Sequence, residues 1–395
     1  MVQRDGSGQK TQEGQSKPSK AGNPRMNFEE KWASDEDRLI READSLGELL
    51  ARMKSHFSAL PVDDRIWEKL FNQAHKLPPT LAGFPLWIGF PVDQSQSSAI
   101  LDVSLLGETY SADFLKRKAA SENRDSPTDV IASILEMTGM QDPHLRDIVG
   151  NRVLVEYSIQ PDEQVNRGPG VYLYPVMATL PGTPSAERLS DFRLAYGALT
   201  SAMLRNLDEH QRNLADHAYR SLDRDARIGA MGGYLSCREP LGFTMLGFNN
   251  ARDVVEYLER IEWPGSKFEI SSVLEGLEMR GALSQMQFGV RLDLGKTALE
   301  PTLELQIFSA NTIYQSSGWF KDRECWMHLM EGLREEGLAQ PDHLSGLTDW
   351  SSGAKALFGR SGPLLLLQRI HHFAFLLESD GSLRVNAHVF LLVTR

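Results

Sequence analysis

The sequence predicts an α/β (α+β) fold in which a β-hairpin and its flanking helices recur five times, giving ten antiparallel strands closed into a barrel with helices outside. Three observations lead there. Hairpin and helix signals alternate from about residue 84 to the last residues of the chain. Polar and apolar side chains trade places along the strands. An open sheet of ten strands also carries two unpaired edges, which closure removes. The alternative is an open sheet with helices on one face and the polar face in solvent.

Helical signals come first. Leu46, Leu49, Leu50, Met53 and Phe57 fall at helical spacing, and Asp63-Asp64 can cap a helix over residues 65–77. The first strand pair is 84–90 and 99–105, split by a Gln/Ser-rich turn. Helices follow over 112–120 and from Ser126-Pro127, a start with proline at the first helical position, to about residue 137. The second pair is 152–159 and 171–179, around Gly168-Pro169-Gly170, with helices from 186 to about 222. The third pair is 228–237 and 241–248; Asn250 can cap a helix over 251–263, and a short one spans 272–279. The fourth pair is 283–294 and 299–309, joined through Gly295, with a helix over 321–336 and broken helical pieces to about residue 358. The last pair is 370–378 and 383–392, with Asp380-Gly381 as its turn. Each unit is about 60–80 residues long, without visible identity between units.

The totals bound the reading. The chain has 395 residues, 41% hydrophobic and 24% charged, a net charge of −11 and a pI near 5.5. That balance argues against nucleic acid as the main partner. Cys237 and Cys325 are the only cysteines, so neither a disulfide framework nor a thiolate metal site can be built, and a reducing, cytoplasmic setting fits. The aliphatic runs are far shorter than the ~20 residues a membrane span needs, so no membrane insertion is expected. Residues 1–25 read as a disordered tail with no signal-peptide stretch, and residues 40–395 as a single barrel domain.

In the fourth pair Gln285, Gln287, Arg291 and Asp293 alternate with apolar residues, as do Thr302, Glu304 and Gln306 across the hairpin, and Arg384, Asn386 and His388 in the last strand. The helices need the apolar face, so the polar face points into the barrel. Ten strands leave room for a central chamber.

This pattern resembles the ABBA prenyltransferases, soluble aromatic and peptide prenyltransferases whose five α-β-β-α units close ten strands around a chamber. The nearest local likeness is the final hairpin, Arg369-Ile370-His371-His372-Phe373-Ala374-Phe375 with Leu383-Arg384-Val385-Asn386-Ala387-His388. Where those enzymes carry Lys, Lys and Tyr, this chain has Ala374, Asn386 and His388, and it has Gly242 in the third hairpin where they would carry a basic residue. The resemblance implies transfer of an isoprenoid from a prenyl diphosphate co-substrate to an aromatic or peptide side chain in natural-product biosynthesis. It implies no bound cofactor, magnesium being possible but not required. The alternative is a diverged or non-catalytic barrel that binds a peptide or small ligand without diphosphate chemistry.

Neither Asp63-Asp64 nor Asp223-x-Asp225 has the spacing of a metal-diphosphate aspartate cluster, and no Gly-rich phosphate loop occurs. Diphosphate release without a metal falls to arginines, for which Arg152, Arg238, Arg291 and Arg384 are candidates, with Gln287 and Gln306 beside them. Glu156, Glu304 and Asp102 are candidate bases on inward faces. Tyr172 and Tyr174 share one strand face and can shield a carbocation. His372 and His388 are candidate bases or donors. Strand alternation expects at most one of His371 and His372 inside, and parity with Ala374 selects His372.

Overall fold

The computed structural model describes residues 36–57, 60–93, 97–122, 126–139, 143–161, 168–176, 179–236, 240–310, 322–348, 350 and 354–394. The expected tail over residues 1–25, Cys237 and Arg238 lie outside them.

Ten strands close a ring: β1 (Leu86–Pro91), β2 (Ala99–Leu106), β3 (Arg152–Ile159), β4 (Gly170–Leu173), β5 (Arg227–Tyr234), β6 (Leu241–Phe248), β7 (Met286–Leu294), β8 (Leu303–Ser309), β10 (Pro363–Leu377) and β11 (Leu383–Thr394). All neighbours are antiparallel, and β11 pairs with both β10 and β1, so the first and last strands seal the barrel. An eleventh strand, β9 (Ala354–Phe358), lies outside the ring against the first residues of β10. It corrects the expected helical pieces there. β10 also starts well before residue 370, because Pro363–Leu367 pair with β9.

Other boundaries shift for local reasons. β4 stops at Leu173 although residues to 179 read as strand; Pro175 has no N–H to give a ladder. β8 starts at Leu303, after Pro301, with Leu299 making only an isolated bridge to Leu294. β7 starts at Met286, after Gln285 turns with φ 64°. The helix Pro143–Val149 has no counterpart in the sequence reading, though Pro143 stands at its first position.

Capping fixes several helices as read. Asp63 accepts from Ile66 N (2.8 Å) and Asn250 from Asp253 N (2.9 Å). The helices Asp64–Ala74, Pro127–Gly139, Ala186–Ala202, Ala251–Arg260 and Arg323–Glu335 lie against the apolar outer face of the ring. There Leu101, Val155, Phe243, Val290 and Leu305 from strands meet Leu70, Leu135, Phe192, Leu258 and Leu329 from helices, all fully buried. Each such side chain contributes roughly 1.5–3 kcal/mol by leaving water. A second apolar cluster, small and separate, lies inside the barrel: Trp87, Leu154, Tyr172 and Phe390. The lumen is thus mixed in polarity. Among the described residues, no helix is long and apolar enough to cross a membrane.

Candidate functional site

The lumen holds two cavities of about 630 and 500 Å³ that share Asp102, Leu154, Tyr174, Thr244, Gln306 and His372 at a waist. The larger opens where strands join helices; the smaller opens at the hairpin turns. Their charges differ. The smaller is lined by six carboxylates (Asp102, Glu156, Asp293, Glu300, Glu304 and Glu378) and two guanidiniums (Arg291 and Arg384). The larger has Arg146, Arg152 and Arg227 against Asp102 and Asp147. No lysine lines either cavity among the described residues.

Arg152 enters the larger cavity from the start of β3. Its guanidinium lies 5.3 Å from the centre of the Trp87 ring and 5.1 Å from that of Tyr174. One nitrogen donates to Ser104 Oγ (3.0 Å). It makes no ion pair with a carboxylate among the described residues, and burial holds its pKa below the usual arginine value. Stacking between two π faces offsets part of the cost of burying that charge.

Arg291 is the opposite case. It donates to the Tyr172 hydroxyl (2.6 Å) and lies over that ring at 4.8 Å. Glu304 is 3.8 Å away, and Glu156 and Asp293 are each 3.9 Å away. Three carboxylates therefore share one guanidinium. Burial raises the Glu156 carboxyl above its ordinary value; Arg291 and the Tyr234 hydroxyl, which donates to it, work the other way. Asp102 faces Glu156 across the β2–β3 pair. Burial, then the charges of Glu156 and Glu304, push its pKa well up. Its Oδ1 has no hydrogen-bond partner among the described residues.

The histidines form a wall across β8, β10 and β11. The Phe308 and His372 rings stack at 5.1 Å, and His372 and His388 at 4.1 Å. His371 sits edge-on to Trp87 (5.3 Å), its Nδ1 sharing a hydrogen bond with His372 Nδ1 (2.7 Å). The expectation that only one of His371 and His372 enters is corrected: the β10–β11 register slips between Ile370 and His372, and both rings line the larger cavity. A bulge breaks alternation where two residues oppose one. Burial holds all three imidazoles below their ordinary value, His388 at about 4.

Other expected site residues separate. Gln306 lies at the waist, its amide donating to Glu304 Oε1 (2.5 Å). Gln287 lines neither cavity; it donates to Asn249 Oδ1 (3.5 Å). Arg384 is half-exposed at the hairpin mouth and ion-paired with Glu378. Trp87, Tyr234, Phe308, Arg227 and Asp293 line the lumen but were absent from the set read for the site. Asp293 did carry a signal, since it shares a strand face with Gln287 and Arg291. Among the described residues, no three His, Cys, Asp or Glu side chains are grouped to hold a metal ion.

No family model matches the chain, and no curated protein is significantly similar in sequence. Solved structures are similar in shape. AnaPT from Neosartorya fischeri aligns over 86% of this chain and 91% of its own at 10% identity, with a TM-score of 0.55. The 6-dimethylallyltryptophan synthase from Micromonospora olivasterospora, solved with DMASPP and Trp, aligns over 89% and 98% at 13% identity and a TM-score of 0.51. The 5-dimethylallyl tryptophan synthase from Streptomyces coelicolor, also with DMASPP and Trp, aligns over 88% and 95% at 15% identity and 0.51. The chain has the ABBA barrel fold.

Proposed function

We propose that the chain is a prenyltransferase that moves an isoprenoid from a prenyl diphosphate to an aromatic side chain, free or within a peptide. The observation that carries this reading is Arg152, a half-buried guanidinium that pairs with no carboxylate among the described residues, held between Trp87 and Tyr174 and facing the larger cavity. Such a group favours an anion beside an apolar chain. Cavities of this size match the ~300–1,000 Å³ typical of small-molecule sites.

In this reading the diphosphate binds at Arg152, with Arg227 and Arg146 at the cavity's rim. As the C–O bond breaks, the electron pair leaves with the diphosphate, whose charge the guanidiniums balance. The allylic cation lies against Trp87, Tyr174 and Phe308. The acceptor ring enters from the hairpin mouth and forms the new bond at the waist. Its proton goes to a carboxylate; Glu156, with its raised pKa and Tyr234 contact, and Glu304 are placed for that. His372 at the waist and His388 in the smaller cavity, both held neutral by burial, accept or donate hydrogen bonds without competing for charge.

The test is incubation with C5, C10 and C15 prenyl diphosphates and a panel of aromatic acceptors, read by mass spectrometry for gain of isoprene units. A parallel melt checks stabilisation by each donor. No mass gain and no shift with any donor would reject the proposal. The absence of lysine from the described lining favours a second reading, a barrel that binds its ligand without diphosphate chemistry. It predicts acceptor binding without any mass change.

A further inference from the structure

We infer that the smaller compartment receives an organic cation, so that the acceptor carries an ammonium or guanidinium group near its nucleophilic ring. The inference rests on the proposed function for the word acceptor, but the binding it describes stands without it.

The carboxylates come from several strands: Asp102 from β2, Glu156 from β3, Asp293 from β7 and Glu304 from β8. They outnumber the positive groups even after Arg384 is set against Glu378 and Arg291 against its three neighbours. A second observation points to a ligand. Asp102 Oδ1 and His388 Nδ1 are buried with no hydrogen-bond partner among the described residues, their residues only 6% and 7% exposed, and both line this cavity. Asp102 Oδ2 stands 3.9 Å from His388 Nδ1, too far for a direct hydrogen bond. An N–H donor entering the cavity would satisfy Asp102 and bring the charge the collar lacks.

A metal ion fits less well. The carboxylates are dispersed around the lumen wall and, among the described residues, make no group of three ligands. An extended cation that reaches several carboxylates in turn suits the spacing.

The experiment is calorimetric titration of the full chain, without prenyl donor, using three indoles of matched size: tryptamine, tryptophol and indole-3-propionate. Tryptamine is expected to bind at least ~10-fold more tightly than tryptophol, a ratio worth about 1.4 kcal/mol, and indole-3-propionate most weakly. Agmatine tests the guanidinium form without the ring. Glu304→Gln is expected to narrow the tryptamine-to-tryptophol ratio. Equal binding of the three indoles, preference for the anion, or silence of all four probes overturns the inference. The wild-type ranking decides it even if the variant fails to fold. Because no donor is present, failure here leaves the transfer assay to judge the proposed function separately.

Discussion

Gly89 stands directly opposite His388 across the β1–β11 pair, and the space its side chain would occupy is taken by the imidazole. A Cβ built at Gly89 would lie 2.6 Å from His388 Cε1. The ring is itself pinned against His372 at 4.1 Å. Gly89→Ala must therefore move His388 or strain the pair. The expected loss is about 1–3 kcal/mol, the usual range for overpacking. Thermal melts should show it, and Gly89→Ala combined with His388→Ala should restore most of it.

Among the described residues Arg291 is the one positive charge paired with Glu156, Asp293 and Glu304, so Arg291→Gln leaves them uncompensated. Removing one partner of a buried ion pair costs ~3–5 kcal/mol. The loss should be greatest near pH 8 and smaller near pH 5, where Glu156, whose carboxyl is raised above its ordinary value, takes up a proton and relieves the repulsion. Chemical denaturation at the two pH values checks it. An equal loss at both would show that Arg291 acts by packing alone.

Arg152 has the reverse prediction. Having no carboxylate partner among the described residues, it can be replaced by methionine with little change in stability, the methionine taking its place between Trp87 and Tyr174. Affinity for pyrophosphate or a prenyl thiolodiphosphate should fall by ~10-fold or more, consistent with 1.5–3 kcal/mol for a charged hydrogen bond. Titration calorimetry reads the loss. Unchanged affinity would place the anion elsewhere.

The histidine wall makes stability depend on pH. His388 is held at about 4 in the folded protein, against ~6.5 in an unfolded chain. The unfolded state thus takes up protons that the folded state refuses. The contribution is complete above pH ~6.5, erodes below it, and is gone once the pH passes about 4. His371 and His372 shift in the same direction. Asp102, raised by burial, works oppositely, stabilising at low pH and losing that contribution as the pH rises. His388→Gln should flatten the fall in melting temperature between pH 7 and 4.5.

Strand order and face were legible because they follow from period: Arg291 and Asp293, or Glu304 and Gln306, alternate with aliphatic residues that the helices cover. What stayed hidden depends on departures from period. The slip between Ile370 and His372 turns His371 inward, and no residue type announces it. The strand Ala354–Phe358 was lost because it is short and mostly exposed, pairing only with β10 among the described strands. The charge division of the lumen was also illegible. Arg152 and Arg291 look alike in sequence, each an arginine in an apolar strand. Only the register shows that one meets aromatic rings and the other meets Glu156 and Glu304.

The seam between β1 and β11 has a bearing on how the protein is made. β1 emerges from the ribosome nearly three hundred residues before the strand it must meet, and until then it offers a bare edge to any passing chain. A nascent polypeptide ending before residue 383 has every helix described here yet encloses nothing. Chaperone dependence should therefore be highest late in synthesis, and ligands should have no grip until the final strand arrives.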